Sequence, residues 1–154
     1  MAKIIALCGK ICSGKSTYAE KIQKDYNAVV LNADVLMLSL FDEQLGDRHD
    51  DVDKKVTKYL YFMAEKIINT NTNVILDLGF WTNKARQDTR LFFEYRNIDV
   101  EFHYINTPLD IIKTNIEKRN ADMNKLSYHI DENILQKCLN AFEEPDDVDI
   151  NVIV

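Results

Sequence analysis

Short apolar runs alternate with longer amphipathic segments along the 154 residues of the chain. Four of these runs are rich in β-branched or aromatic residues and show little polar alternation, which is typical of strands buried on both faces. They cover residues 3–8, 28–32, 73–80 and 100–105. Residues 148–154 alternate apolar and polar positions instead, which predicts a fifth strand at the edge of the sheet.

Between the second and third runs, apolar residues recur at steps of three and four, which predicts one apolar stripe on a helix. The stripe consists of Val52, Val56, Tyr59, Leu60, Met63, Ile67 and Ile68. Strand and helix alternating in this way predict an α/β fold: a parallel sheet with right-handed crossovers and helices on both faces. The length, without a linker or an internal repeat, predicts a single domain over residues 1–154.

The first strand leads into a segment of the form G-x-x-x-x-G-K-S, and a helical pattern follows it. Glycines let successive N–H groups turn inward, and a helix amino end adds positive potential, so this context predicts a phosphate-binding loop. Lys15 would reach the β- and γ-phosphates, and the Ser16 hydroxyl would bind Mg²⁺. A plain strand-to-helix turn is the alternative. The candidate nucleotide ligands are Gly9, Lys10, Ile11, Cys12, Ser13, Gly14, Lys15, Ser16 and Thr17.

Two aspartates follow or end apolar runs, where the carboxyl edge of a parallel sheet is expected. Asp77 closes the third run and is the candidate second ligand of Mg²⁺, directly or through water. Asp34 follows the second run and is the candidate general base for an acceptor hydroxyl. Each has a structural alternative, since Asp77 could cap a turn and Asp34 could be the N-cap of the next helix.

The charge of the chain narrows the class of partner. The formal net charge of −6 disfavours a nucleic-acid partner held by a global basic field. Three cysteines without paired spacing and no secretory pattern predict a reducing, cytoplasmic location, and no apolar run is long enough to span a membrane. Residues 41–53 carry six carboxylates and favour a neutral or cationic acceptor, unless this segment is only a solvated loop.

The order and spacing of five segments resemble a known family. The segments are "GKICSGKSTYAEKI", "LNADVL", "NVILDLGFWTNKAR", "TPLDIIKTNIEKRN" and "AFEEP". Together they resemble the small P-loop kinases of the AAA-family ATPase or predicted kinase group, which is related to zeta toxin, chloramphenicol phosphotransferase and the kinase domain of polynucleotide kinase. The resemblance implies a five-stranded parallel core, a mobile lid and transfer of phosphate from ATP or GTP to a hydroxyl. It also places Asp34 at the position of the general base.

The resemblance also implies a lid at about residues 108–128, which contains Lys113, Lys118, Arg119 and Lys125. Arg119 is the candidate for contacting the transferred phosphate or stacking on the adenine, with help from Lys118. Relatives often carry an earlier lid arginine where this chain has Asn115. A solvated helix face is the alternative reading of these charges.

Arg86 matches a position that is frequently arginine in the group, so it is a candidate substrate ligand or a residue that fixes the loop behind Asp77. Arg90, one turn later, is more typical of a surface ion pair.

These features predict a Mg²⁺-dependent kinase that uses ATP, or GTP, and a small-molecule or nucleotide-type hydroxyl acceptor. A nucleoside or nucleotide kinase is the nearest alternative, with Arg86 and Arg90 binding an acceptor phosphate. A regulatory module that hydrolyses ATP slowly and transfers nothing is the alternative from another class.

Overall fold

A five-stranded parallel sheet with the strand order β2-β3-β1-β4-β5 lies at the centre of the protein. The computed structural model describes residues 1–41, 45–122, 127–146 and 150–154. The strands are β1 (Ile4–Cys8), β2 (Ala28–Asn32), β3 (Asn73–Gly79), β4 (Val100–Tyr104) and β5 (Val152–Ile153). The first four predicted strands are therefore confirmed to within one residue at each end. The predicted edge strand is also confirmed, although only two of its residues pair with β4.

Helices connect the strands and cover both faces of the sheet. They are α1 (Lys15–Asp25), α2 (Ala33–Leu40), α3 (His49–Ile68), α4 (Asn83–Glu94), α5 (Leu109–Ala121) and α6 (Glu132–Ala141), with a 3₁₀ turn at Gly46–Arg48. Ala64 of α3 and Phe93 of α4 pack on one face of β1 and β3, whereas Ala19 and Ile22 of α1 pack on the other. The predicted three-layer α/β architecture is confirmed.

Strand β1 is the innermost strand, and all five of its residues are fully buried. Because successive side chains of a strand point to opposite faces, Ile4, Ala6 and Cys8 enter one core while Ile5 and Leu7 enter the other. Burial on both faces explains the unbroken apolar run in the sequence.

Helix α3 follows the predicted apolar stripe with one correction. It buries Val52, Val56, Leu60 and Ala64, at steps of four residues. Tyr59, which the sequence pattern placed in the stripe, is 53% exposed. It precedes Leu60 by one residue, and one residue turns about 100° around a helix axis, so its ring points away from the sheet.

The strand order creates a crevice at the carboxyl ends of β1 and β3. The chain leaves β1 through α1 towards β2 on one side, and it leaves β3 through α4 towards β4 on the other. Neighbouring parallel strands whose connections depart in opposite directions mark the place where ligands bind in open α/β sheets. None of the helices in the described parts of the chain is long and apolar enough to cross a membrane.

Candidate active site

The loop between β1 and α1 forms one wall of a cleft of about 1940 Å³ at this crevice. Gly14 adopts a left-handed conformation, with φ of 96°, and α1 begins at the next residue. No side chain caps the amino end of α1, so the first N–H groups of the helix are not held by a protein side chain. A helix end of this kind attracts anions through its free N–H groups and its dipole.

Two further features of the loop fit a bound phosphate chain. A Cβ atom at Gly9 would lie 2.6 Å from Ser13 Oγ and 3.0 Å from the carbonyl oxygen of Ile105, so only glycine fits there without a shift. The Ser13 hydroxyl is buried and has no hydrogen-bond partner among the described residues. A buried polar group without a partner is costly in a native structure, so a ligand that accepts from this hydroxyl would relieve that cost.

Lys15 spans the loop from its position at the start of α1. Its Nζ donates to the carbonyl oxygens of Gly9, at 3.0 Å, and of Lys10, at 2.7 Å. Burial lowers the pKa of Lys15, and the charges of Asp77 and Asp34 oppose this shift. The lysine therefore points its ammonium group into the loop where phosphate charge would be neutralised.

Three side chains meet beside the loop at Asp77, which is 6% exposed. The Ser16 hydroxyl donates to Asp77 Oδ2 at 2.7 Å, and Asn32 Nδ2 donates to the same oxygen at 2.8 Å. The predicted pair of Ser16 and Asp77 is thus adjacent. Asp77 lies two residues before the end of β3, so it is held by the strand and is not a turn cap.

The donor set beside the loop fits Mg²⁺. A serine hydroxyl and one carboxylate are hard oxygen ligands, and Mg²⁺ keeps most of its shell as water and substrate phosphate oxygens. Over the described residues, no group of three or more His, Cys, Asp or Glu side chains forms a closed metal site. Ser16 and Asp77 would therefore hold the ion together with the phosphates of a nucleotide.

Asp34 lies in the first turn of α2, and its side chain is exposed to the cleft. The cap of this helix is Asn32, whose Oδ1 accepts from the Val35 amide at 2.9 Å, so the alternative of Asp34 as N-cap is wrong. The cleft walls limit the hydration of the Asp34 carboxylate. This burial and the charge of Asp77 raise its pKa, against the opposing effects of Arg119, Lys15 and His49.

Helix α5 and the segment before it contact the opposite side of the loop between β1 and α1, which we call the phosphate loop. Arg119 Nη1 donates to Cys12 Sγ at 3.1 Å, and Asn115 Nδ2 donates to the Cys12 carbonyl oxygen at 3.0 Å. Thr107 Oγ1 donates to the Ser13 carbonyl oxygen at 2.6 Å. The predicted lid arginine therefore lines the same cleft as Lys15 and Asp34, as does Lys118. The lid prediction also included Lys125, which lies outside the described residues.

Arg86 is 1% exposed and does not line the cleft. Its guanidinium donates to the carbonyl oxygen of Phe80 at 2.7 Å, to that of Glu143 at 2.9 Å and to the Asn83 side chain. These contacts tie the segment after β3 to the segment after α6. They favour the alternative in which Arg86 fixes the loop behind Asp77.

Arg90 also faces the protein interior. Its guanidinium lies 5.2 Å from the centre of the Phe102 ring and donates to the Val100 carbonyl oxygen at 3.2 Å. The structure thus packs both arginines of α4 against the sheet and its flanking segments. The nucleotide-kinase alternative, which assigned Arg86 and Arg90 to an acceptor phosphate, loses support from this arrangement.

The remaining predicted nucleotide ligands occupy the rim of the loop. Lys10 Nζ pairs with Glu144 at 2.9 Å, while Ile11, Cys12 and Thr17 line the cleft. Cys12 has a positive φ of 53°, which is uncommon for a residue with a side chain.

The sequence motifs gave no site role to Asn32, and Asn115 stood out only as the residue where relatives often carry an earlier lid arginine. An asparagine between a strand and an apolar helical run is an N-cap signal, so the cap at Asn32 could have been found in the sequence. Its contact with Asp77 depends on the register of β2 and β3, and the contact of Asn115 with Cys12 spans 103 residues. Neither long-range contact has a local sequence signal.

A family model described as an AAA domain matches residues 4–145. The chain belongs to this AAA domain family. The resemblance to the AAA-family group of P-loop kinases is thereby confirmed at the level of the family and the fold. No curated protein matches the sequence.

Solved structures that resemble this AAA domain have kinase-type folds. One is a chain of the Pnkp1/Rnl/Hen1 RNA repair complex, with 24% identity, a TM-score of 0.74, and coverage of 91% of this chain and 43% of the other. This chain therefore spans less than half of that relative. Chaetomium thermophilum Kti12 in complex with ADP-AlF3 gives 14% identity, a TM-score of 0.75, and coverage of 99% and 88%.

A gluconokinase from Sinorhizobium meliloti 1021 gives 16% identity, a TM-score of 0.64, and coverage of 99% and 81%. At these identities the structural likeness establishes the fold alone, so the acceptor must be inferred from the residues of this AAA domain.

The burial of Arg86 gives a test of its role. Arg86→Lys keeps the charge but loses the planar fork that reaches two carbonyl oxygens at once, so we expect the free energy of unfolding to fall by about 2–4 kcal/mol. Urea unfolding would measure the loss. Arg48→Lys makes the same change at an exposed arginine at the end of the 3₁₀ turn, and it should cost less than about 0.5 kcal/mol. Unchanged stability of Arg86→Lys, with weaker acceptor binding, would instead favour the substrate role.

Proposed function

We propose that the protein is a Mg²⁺-dependent kinase that transfers the γ-phosphoryl group of ATP, or of GTP, to a hydroxyl of a small-molecule or nucleotide-type acceptor. One observation carries the proposal: Lys15, Ser16, Asp77, Asp34 and Arg119 all line a single cleft at the carboxyl ends of the strands. These residue types supply a phosphate cradle, a metal shell, a base and a cation, which are the parts that phosphoryl transfer requires.

The nucleotide half of the cleft is the phosphate loop. The backbone amides of Gly14, Lys15 and Ser16 at the uncapped amino end of α1 would bind the β- and γ-phosphates together with the Lys15 ammonium, because this helix end favours negative charge. Ser16 and Asp77 would hold Mg²⁺ against these phosphates. Bound there, the ion would neutralise the charge that develops on the phosphate oxygens.

Asp34 is the proposed base. Its carboxylate would accept the proton of the acceptor hydroxyl as the hydroxyl oxygen forms a bond to the γ-phosphorus. The bond between that phosphorus and the β–γ bridging oxygen breaks, and its electron pair leaves with the nucleoside diphosphate. A raised pKa suits this role, since a carboxylate that holds its proton more tightly is the stronger base.

Arg119 is the proposed cation of the transition state, with Lys118 beside it on α5. The contact between Arg119 and Cys12 places the guanidinium on the rim of the phosphate loop. A cation that is already fixed near the transferred phosphoryl group stabilises its charge more strongly than a mobile one, because it need not reorganise in the transition state.

The acceptor half of the cleft is acidic in its described part. Asp50 and Asp53 of α3 line it together with Asp34 and His49, and these three carboxylates outnumber the cation of Lys54, which lines the cleft from the same helix. Burial raises the pKa of Asp53, opposed by His49 and reinforced by the charges of Asp34 and Asp50. Repulsion from these carboxylates disfavours an acceptor that carries phosphate groups. A neutral or cationic hydroxyl compound is the acceptor class that the cleft supports best, and a polynucleotide is disfavoured.

A transfer assay tests the proposal. The purified protein would be incubated with Mg²⁺, γ-³²P-ATP and separate pools of nucleosides, 5′-hydroxyl oligonucleotides, sugars, aminoglycosides and nucleotide-sugars. We expect label in a pool of neutral or cationic acceptors, and we expect Asp34→Ala and Lys15→Ala each to reduce transfer at least 100-fold. Asp34→Ala should retain nucleotide affinity, because its carboxylate does not touch the phosphate loop.

Two results of this transfer assay would contradict parts of the proposal. Free phosphate released at a rate insensitive to Asp34→Ala, with no pool labelled, would refute Asp34 as base and favour the regulatory ATPase. Label in the oligonucleotide pool alone would refute the proposed acceptor class and leave the kinase chemistry intact.

The raised pKa of Asp34 predicts a pH dependence. Activity requires the ionised base, so kcat/KM should rise with pH along an acidic limb whose midpoint lies above the usual aspartate value of about 3.9. The same shift acts on stability with the opposite sign. Because the folded state binds this proton more tightly, the ionised carboxylate destabilises the fold above the raised pKa, and the penalty vanishes below the unfolded pKa.

Asp34→Asn should therefore be more stable than the wild type at pH 7, and the difference should shrink as the pH falls towards 4. Thermal unfolding from pH 4 to pH 8 would measure it. An Asp34→Asn variant that is less stable than the wild type at neutral pH would contradict the pKa shift.

A further inference from the structure

Asn32 uses both ends of its side-chain amide. Its Oδ1 accepts from the Val35 amide at 2.9 Å and caps α2, while its Nδ2 donates to Asp77 Oδ2 at 2.8 Å. Nδ2 also lies 3.4 Å from Ser16 Oγ. One side chain thus joins the proposed metal ligands to the helix that carries Asp34.

The fold determines this juxtaposition. Asn32 is the last residue of β2, and the parallel register pairs it directly with Asp77 of β3. The next residue begins α2, and Asp34 follows in its first turn. Because side chains in register on adjacent strands lie side by side, the side chain at position 32 lies next to that of Asp77.

A helix cap alone does not require asparagine. Serine, threonine and aspartate cap helices about as well, since the cap uses only an acceptor oxygen. The bond to Asp77 needs a donor at the opposite end of the same group. An amide supplies a donor and an acceptor at a fixed separation, whereas a carboxylate has no donor and a serine hydroxyl is too short to serve both partners.

We propose that Asn32 is a positioning residue that orients the Asp77 carboxylate for Mg²⁺ and couples it to the amino end of the Asp34 helix. The inference rests on the proposed kinase function for its purpose, but its geometry stands on contacts of this chain alone. Ligating carboxylates are usually held by a hydrogen bond from a neighbouring group, and loss of such a partner typically weakens metal binding by about 10- to 100-fold.

Two variants at position 32 separate the two ends of the amide. Asn32→Ser retains a cap acceptor but cannot reach Asp77, and Asn32→Ala loses both contacts. The measurement is the Mg²⁺ concentration that gives half-maximal binding of a non-hydrolysable ATP analogue. Binding would be followed by calorimetry or by the fluorescence of Trp81, the single tryptophan of the chain, which lines the cleft. We expect this concentration to rise at least about 10-fold in both variants. Asn32→Ala should lower the melting temperature more than Asn32→Ser does, because it also loses the helix cap.

Asp131→Ala is the matched control for cap loss. Asp131 caps α6 through the Ile134 amide at 2.8 Å, and it is exposed and does not line the cleft. This variant should lower the melting temperature and leave the Mg²⁺ requirement unchanged. Asn32→Ser with the Mg²⁺ requirement of the wild type would overturn the inference, because Asn32 would then be a cap alone.

The assay also separates failure of this inference from failure of the proposed function. Analogue binding needs no phosphate transfer. If the wild type binds the analogue with Mg²⁺ but labels no acceptor, the kinase proposal is refuted, and the role of Asn32 can still be tested. A wild type whose analogue binding does not depend on Mg²⁺ overturns both.

Discussion

The buried carboxylate of Asp77 is the constraint around which the rest of the cleft is arranged. A charge removed from water is costly unless it is paired and hydrogen-bonded, and this one accepts hydrogen bonds from the Ser16 hydroxyl and the Asn32 amide. The positive charge of Lys15 also acts on the site, without a direct contact to Asp77. Lys15 and Ser16 begin α1, and Asn32 ends β2. Hydrogen bonds to this one carboxylate therefore link the start of α1 to the start of α2.

The same arrangement explains the electrostatics of the cleft. Asp77 and Asp34 share one cleft with the half-buried Lys15. The charge of Asp77 raises the pKa of Asp34, and both carboxylates oppose the fall in the pKa of Lys15. Nucleotide phosphates would add negative charge to this site, so a divalent cation between Asp77 and the phosphates is the physical complement of the loop. The raised pKa of Asp34 suits its proposed role as the base.

Local sequence patterns predicted most of the elements. The β-branched runs predicted the strands, and apolar residues at steps of four predicted α3. The motif from Gly9 to Ser16 is visible in the sequence because consecutive residues form it. What failed or was left open depended on orientation within an element. Tyr59 turns away from the stripe by one helical position, and Arg86 turns into the protein although its neighbours on α4 are exposed.

The contacts that complete the site come from separate parts of the chain. Asn32 reaches Asp77 through strand register, and Asn115 reaches Cys12 through the packing of α5 on the loop. A sequence pattern carries no information on such pairs, because 45 and 103 residues separate their members. The sequence thus predicted that the loop, Asp77 and Asp34 belong to one site, but it did not predict the residues that hold them in place.

The most direct test of the account is the affinity for ATP with and without Mg²⁺, measured by calorimetry on the wild type and on Asp77→Asn. Mg²⁺ should tighten ATP binding by the wild type at least about 10-fold, and Asp77→Asn should lose most of this gain while it remains folded. Equal gains in both proteins would contradict the assignment of Asp77 to the metal. Absence of ATP binding by the folded wild type would contradict the phosphate cradle itself.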